Sequence, residues 1–141
     1  MLREGHQVAN HSEKHLRPSA ALATSTQTFV NEIRNLERSY QSMMGQPITR
    51  LFRPPEGGHS ERSLQVADDL GYTTVFWSFA YADWDTDAQP DPTAAKNKIL
   101  GQLHPGSVIL LHAVSDTNVA ILAEVIDAIR SRGYTIALLQ A

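Results

Sequence analysis

Five short apolar or β-branched runs, Gln7–Asn10, Arg50–Phe52, Thr73–Trp77, Ser107–Leu111 and Thr135–Leu139, alternate along this chain with longer segments of helical period. That alternation constrains the fold more than any other feature, because strands separated by helices wind into a mostly parallel sheet that the helices cover. Between the first two runs, Thr26–Met44 carries Phe29, Val30, Ile33, Leu36 and Tyr40 near one face, and Gly45 stops it. A second helix is expected over Ser60–Leu70 through Leu64, Ala67 and Leu70, ended by Gly71. A third, Pro92–Leu103, has proline in its first turn and ends before the turn signal His104–Gly106. The last, Asn118–Arg132, carries Ile121, Leu122, Val125, Ile126 and Ile129 and stops at Gly133. No repeat, low-complexity tract or linker intervenes, so residues 1–141 read as a single α/β domain. The loop Ala80–Asp91, long, rich in Asp and interrupted by Trp84, reads as functional more than connective.

Composition narrows what such a domain does. With 42% hydrophobic and 19% charged residues, the 141-residue chain is too apolar to be disordered and long enough for a core. Twelve basic against 15 acidic side chains leave no cationic excess, so no nucleic-acid partner is expected. Apolar runs such as Val108–Leu111 fall far short of the ~20 residues of a membrane helix. Cysteine is absent, which excludes disulfide scaffolds, thiolate zinc sites and cysteine nucleophiles. The opening MLREGHQVAN shows no charged leader, apolar stretch and cleavage site, so no signal peptide is read in it. Met1–Glu4 followed by Gly5 reads instead as the tail of a helix running into a helix-stopping glycine, as though the chain began inside a folded unit.

Polar groups with chemical uses gather where the runs end. His11 and His15 follow the first run; in a helical segment a spacing of four would put both imidazoles one turn apart, where one cation bridges them. Neutral imidazole suits zinc and several other divalent ions. The competing reading is a pair of solvated polar residues, but ligands of parallel sheets collect at the carboxyl ends of strands. The second run ends at Arg53 and the proline pair Pro54–Pro55; alone this is a surface cation and a turn. The third leads to Asp83 and Trp84, which alone read as a solvated carboxylate beside a packing tryptophan. The fourth closes on His112, alone equally a satisfied structural histidine. Their convergence on successive strand ends argues for one site, since barrels of this winding place such groups around one mouth. His6, His59 and His104 lie before the first strand, in a Gly-rich loop and in a turn, and are expected to be structural or solvated.

These residues resemble the polysaccharide deacetylase family, the NodB-homology carbohydrate esterases. The HisSerXxxXxxHis metal motif matches at His11–His15, preceded by Gly5, His6 and Asn10; ArgXxxPro matches at Arg53–Pro55, AspTrp at Asp83–Trp84 and LeuXxxHis at Leu110–His112. The stretches LFRPPEGG, TTVFWSFAYADWD and ILLHAVSDTN look most like the delta-lactam-biosynthetic branch that acts on peptidoglycan muramic acid. The resemblance implies an α/β fold: the C-terminal portion of a distorted (β/α) barrel, lacking about the first two strands. It implies that His11 and His15 hold a divalent metal, usually zinc, and that His112 is the general acid for the departing amine. Arg53 would orient the catalytic base, and Asp83 would pair with His112 and keep it protonated. Pro54, Pro55, Glu56, Trp84 and Leu111 would line the substrate site, with the backbone N–H near Glu56 helping to hold the oxyanion.

Two departures accompany the match. Ala80 replaces the first carboxylate of the family's AspXxxXxxAspTrp pattern. The ThrPheAspAspGly motif that supplies base and third metal ligand has no counterpart; the one AspAsp pair, Asp68–Asp69, sits at a helix end and is expected to be solvated. The expected activity of the complete form is removal of acetyl from a peptidoglycan amino sugar, N-acetylmuramic acid first. The alternatives are an inactive remnant with weak metal or glycan binding, and a deacetylase of chitooligosaccharides or N-acetylglucosamine. The expected partner is a peptidoglycan strand or amino-sugar oligosaccharide, and the expected place of work the cell envelope.

Overall fold

Three parallel strands, β1 (Ala9–Asn10), β2 (Thr49–Phe52) and β3 (Thr73–Thr74), lie side by side in the order β1-β2-β3. The chain is seen in a computed structural model that describes residues 1–140 and divides into two units, Met1–Phe76 with the residues from Leu138, and Trp77–Ala137. The sheet belongs to the first. Thr49 donates its N–H to the Val8 carbonyl at 3.1 Å, Arg53 to Asn10 at 2.9 Å and Val75 to Phe52 at 2.8 Å.

Helix α1 (Pro18–Thr24) and helix α2 (Thr26–Met44) are joined through Ser25, which ends one and caps the other. Its N–H reaches Ala21 at 3.1 Å and its hydroxyl accepts from the Thr28 N–H at 3.0 Å, a cap worth about 1 kcal/mol. α1 was not expected, because seven residues directly against another helix show too little periodicity to stand out. α2 has the bounds that the sequence predicts. Phe29, Ile33 and Tyr40 are its buried apolar positions, each contributing roughly 1.5–3 kcal/mol of burial, with Val30 and Leu36 half-buried beside them. Gly45 ends it at φ 68°, the left-handed turn a glycine takes without strain. Helix α3 (Glu61–Asp69) starts from a Ser60–Ser63 capping box. Phe29, Ile33, Ile48, Phe52, Ala67 and Tyr72 form the core of this unit. Met1–Glu4 is a short 3-10 turn that Gly5 closes at φ 87°.

In the second unit, helix α4 (Pro92–Gly101) and helix α5 (Asp116–Ser131) enclose a core of Phe79, Ile99, Ile121, Val125 and Ile129. Three of the expected strands fall short. Ser107–Leu111 makes only a single parallel bridge, Phe79 to Ile109, held by Ser78 N–H to Val108 at 2.9 Å and Leu110 N–H to Phe79 at 3.0 Å. Thr135–Leu139 forms no strand, and Ile136, Leu138 and Leu139 are exposed. Thr73–Trp77 contributes a ladder of two residues only. These shortfalls have one cause: apolar composition favours extension, but a strand exists only where a partner supplies the ladder.

Candidate functional site

Two groups of the expected site residues are assembled locally, one in each unit. In the first, the chain leaves β1 at Asn10 and turns back through His11–Arg17 without becoming helical. The helical geometry expected for His11 and His15 is therefore replaced by a loop, with Ser12 at φ 66° and His15 at φ 56°. Non-glycine residues in that region cost about 1–3 kcal/mol each and persist only where surroundings impose them.

The imposing groups are buried polar side chains. Asn10 accepts from the Ser12 N–H at 2.9 Å and donates to the Ile33 carbonyl at 3.0 Å and the Tyr72 hydroxyl at 3.3 Å. Glu32, on the buried face of α2, accepts from the Lys14 N–H through its carboxylate and from the Glu13 N–H through its carbonyl, both at 2.9 Å. The loop so held brings the His11 and His15 rings edge to face at 4.8 Å between centroids. His11 Nδ1 lies 2.6 Å from the Arg53 carbonyl, which only accepts, so Nδ1 carries the proton and Nε2 the lone pair. An imidazole fixed in this way has the tautomer of a metal ligand. The pair thus fits two positions of a zinc-type coordination sphere. Among the described residues no group of three His, Cys, Asp or Glu stands close enough to hold an ion.

Arg53 follows β2 half-buried. Burial lowers its guanidinium below the ordinary value, and among the described residues no carboxylate pairs with it. Pro54 and Pro55 are fully buried, and the turn Pro55–Gly57 carries Glu56 at φ 55°. The exposed Glu56 carboxylate takes hydrogen bonds from Nε of Arg17, at 2.7 Å, and from its Nη2; that contact holds the Glu56 carboxyl below the usual range. Arg17 was not singled out in the sequence.

In the second unit the residues around Asp83 reverse what each suggested alone. Asp83 is fully buried and Trp84 is 59% exposed. Asp83 Oδ1 faces His112 Nδ1 at 2.7 Å, and Oδ2 accepts from the His112 backbone N–H at 2.7 Å and from Asn118 Nδ2 at 2.6 Å. Burial alone would raise the carboxyl; the donors from the His112 backbone, Asn118 and the His112 ring, with the charge of His112, bring it below its ordinary value. The Trp84 and His112 rings lie edge to face at 5.9 Å, and Leu111 is half-buried. With Asp83 on Nδ1, the other ring nitrogen, Nε2, is the one left for chemistry. His6, His59 and His104 are exposed, as are Asp68 and Asp69 on α3.

Glu32, Tyr81 and Asn118, which hold the site residues in place, escaped sequence reasoning, and Asn10 entered it only as a neighbour of the histidine motif. The available signal was polarity on an apolar side: Glu32 flanks Ile33 on the apolar face of α2, and Asn118 lies three before Ile121 on α5. Tyr81 alternates with Phe79 and Asp83, so all three share one side of an extended segment.

A family model described as polysaccharide deacetylase matches residues 1–75. The chain is 38% identical over 135 residues to an uncharacterized 30.6 kDa protein in the fumA 3'region of Geobacillus stearothermophilus, covering 96% of this chain and 50% of that one. It is 36% identical over 132 residues to peptidoglycan-N-acetylmuramic acid deacetylase PdaA of Bacillus subtilis, covering 94% and 49%. The solved structure of Bacillus subtilis PdaA, a family 4 carbohydrate esterase, is similar to it with a TM-score of 0.86 at 34% identity, over 96% of this chain and 56% of that one. The chain spans about half the length of the curated relatives it matches.

Proposed function

This chain belongs to the polysaccharide deacetylase family, and we propose that in its complete form it hydrolyses the N-acetyl group of a peptidoglycan amino sugar, N-acetylmuramic acid first. The observation that carries the proposal is the Asp83–His112 pair, a fully buried carboxylate bound to one ring nitrogen of a part-exposed imidazole. Amide hydrolysis forms a bond from water oxygen to the acetyl carbon and breaks the carbon–nitrogen bond. The nitrogen leaves only after taking a proton, giving amine and acetate. His112 would deliver that proton from Nε2 while Asp83 fixes the ring through Nδ1. Trp84 would offer an exposed aromatic face to a sugar ring, with Leu111 beside the acetyl group.

In the first unit, Arg53 is a half-buried cation without a carboxylate partner among the described residues, which suits it to orient a carboxylate base. Pro54 and Pro55 would set the backbone that presents Glu56. The family is generally metal-dependent. His11 and His15 would hold the ion, probed first as zinc, which when bound polarises the acetyl carbonyl and activates water.

In the complete enzyme acting on peptidoglycan, His112→Ala is expected to lower acetate release by roughly 10²–10⁴-fold. A full-length enzyme that stays fully active after that change ends the assignment. Product mass spectrometry separates the sugars: loss of acetyl from N-acetylmuramic acid supports the reading, and loss from N-acetylglucosamine or chitooligosaccharides alone replaces it.

A second reading, an inactive remnant with weak metal or glycan binding, is favoured by the absence of a third ligand beside His11 and His15 among the described residues. Zinc calorimetry and acetate release on the 141-residue chain decide between them. Tight binding with turnover removes the remnant reading, and neither leaves it standing. By the same family reasoning, the place of work is the cell envelope; no helix among the described residues is long and apolar enough to cross a membrane.

A further inference from the structure

The side-chain amide of Asn118 touches both members of the Asp83–His112 pair. Its Nδ2 donates to Asp83 Oδ2 at 2.6 Å and to the His112 carbonyl at 3.1 Å. A carboxylate and a carbonyl only accept, so Nδ2 must face them and Oδ1 must face away. Oδ1 accepts from the Tyr81 hydroxyl, whose own titration is pushed up by burial and then by the negative charge of Asp83. Tyr81 therefore stays a donor, and the amide has one orientation. Its mounting is rigid. Asn118 sits in the first turn of α5, where its N–H reaches the Ser115 hydroxyl at 3.2 Å, and that hydroxyl donates to Gln89 Oε1 at 2.9 Å. Asn118 is 5% exposed, and asparagine is a weak helix former, so neither solvent nor helix propensity accounts for it there.

Without the amide, Asp83 Oδ2 keeps one donor, the His112 N–H. The carboxylate is then held by His112 alone, through this N–H and through the Nδ1 contact of Oδ1, and among the described residues nothing outside the pair restrains its last torsion. We propose that Asn118, oriented by Tyr81, is a positioning residue that locks the Asp83 carboxylate against His112 Nδ1 and so fixes Nε2 as the reactive nitrogen. The catalytic meaning of this lock rests on the reading of His112 as proton donor; the lock itself does not.

The test is nitrogen-15 NMR of histidine in the 141-residue chain, at a pH above the ordinary imidazole range, where the neutral tautomers are resolved. The native chain is expected to show His112 protonated at Nδ1. In Asn118→Leu, similar in size and without donors, the ratio of the Nδ1–H to the Nε2–H form is expected to fall by ~10-fold, the scale of one charge-assisted hydrogen bond. Tyr81→Phe keeps the ring and removes the hydroxyl, and is expected to move the ratio the same way by less. If Asn118→Leu does not fold, Tyr81→Phe decides alone. A melting temperature that falls while the tautomer stays at Nδ1–H in every folded variant overturns the proposal, because a merely structural role does just that. In the complete enzyme, Asn118→Leu should lower kcat and leave KM in place. An active His112→Ala enzyme would remove the proton-donor reading and leave the tautomer result untouched, so the two failures are distinguishable.

Discussion

At the scale of single residues, Asp83 concentrates the consequences. Phe79, Tyr81 and Asp83 are all buried while Ala82 and Trp84 are exposed, the alternation of an extended segment. The motif order located Asp83 and His112, but judging each residue by its type made the carboxylate solvated and the tryptophan packed. The alternation was legible and would have reversed both. Its energetic sign is equally definite. The folded carboxyl lies below its ordinary value, so it binds its proton less readily than in the unfolded chain. Its contribution to stability is therefore complete above the unfolded value of ~3.9 and is lost as pH falls through the lower folded value. Asp83→Asn, nearly isosteric, is expected to destabilise by roughly 1.5–3 kcal/mol at neutral pH, the worth of a hydrogen bond to a charged group. The difference from the native chain should shrink as acid protonates Asp83. Urea unfolding of both chains at neutral pH and near ~pH 3 measures this; a difference that does not change with pH contradicts it.

At the scale of elements, what was legible is what is local. α2 was read with its bounds intact, because its apolar spacing, its cap at Ser25 and its stop at Gly45 all lie within the segment. The loop Asn10–Arg17 was not, because its shape is imposed from elsewhere in the chain by Glu32, which takes the Lys14 and Glu13 N–H groups. Four-residue spacing of His11 and His15 looks the same in a helix and in a loop held shut, and only the buried acceptors distinguish them. This gives the loop a test of its own. Glu32→Ala removes the acceptor of the Lys14 N–H and should release His15 from its left-handed conformation. Zinc affinity of the chain, measured by calorimetry, is then expected to fall by about 10–100-fold, as for other groups that orient metal ligands. Glu32→Gln, which keeps an acceptor oxygen, should restore most of it. Unchanged affinity in Glu32→Ala would show that the histidine pair needs no support from α2.

At the scale of the whole molecule, the parallel α/β architecture follows from the alternation of runs and helices, and the chain matches about half of related deacetylase structures. What the alternation could not supply was the number of paired strands, since pairing depends on which runs find neighbours. Among the described residues the result is a sheet of three strands with β1 at one edge. Val8 and Asn10 turn their carbonyls toward β2, to the N–H groups of Thr49 and Arg53, so Ala9 between them points its N–H and carbonyl out along the open edge. An outward pair of this kind is a template for another strand, and Gln7 and Ala9 are exposed beside it. The 141-residue chain is therefore expected to self-associate as its concentration rises, seen as increasing mass in size-exclusion chromatography with light scattering. Ala9→Pro removes the outward N–H and no bond to β2, because proline suits an edge and forbids only the donor. It should lower association while leaving cooperative thermal unfolding in place. Association equal in both chains would place the contact elsewhere than the β1 edge, and a native chain that stays monomeric at every concentration would show that two strand residues are too short a template to recruit a partner.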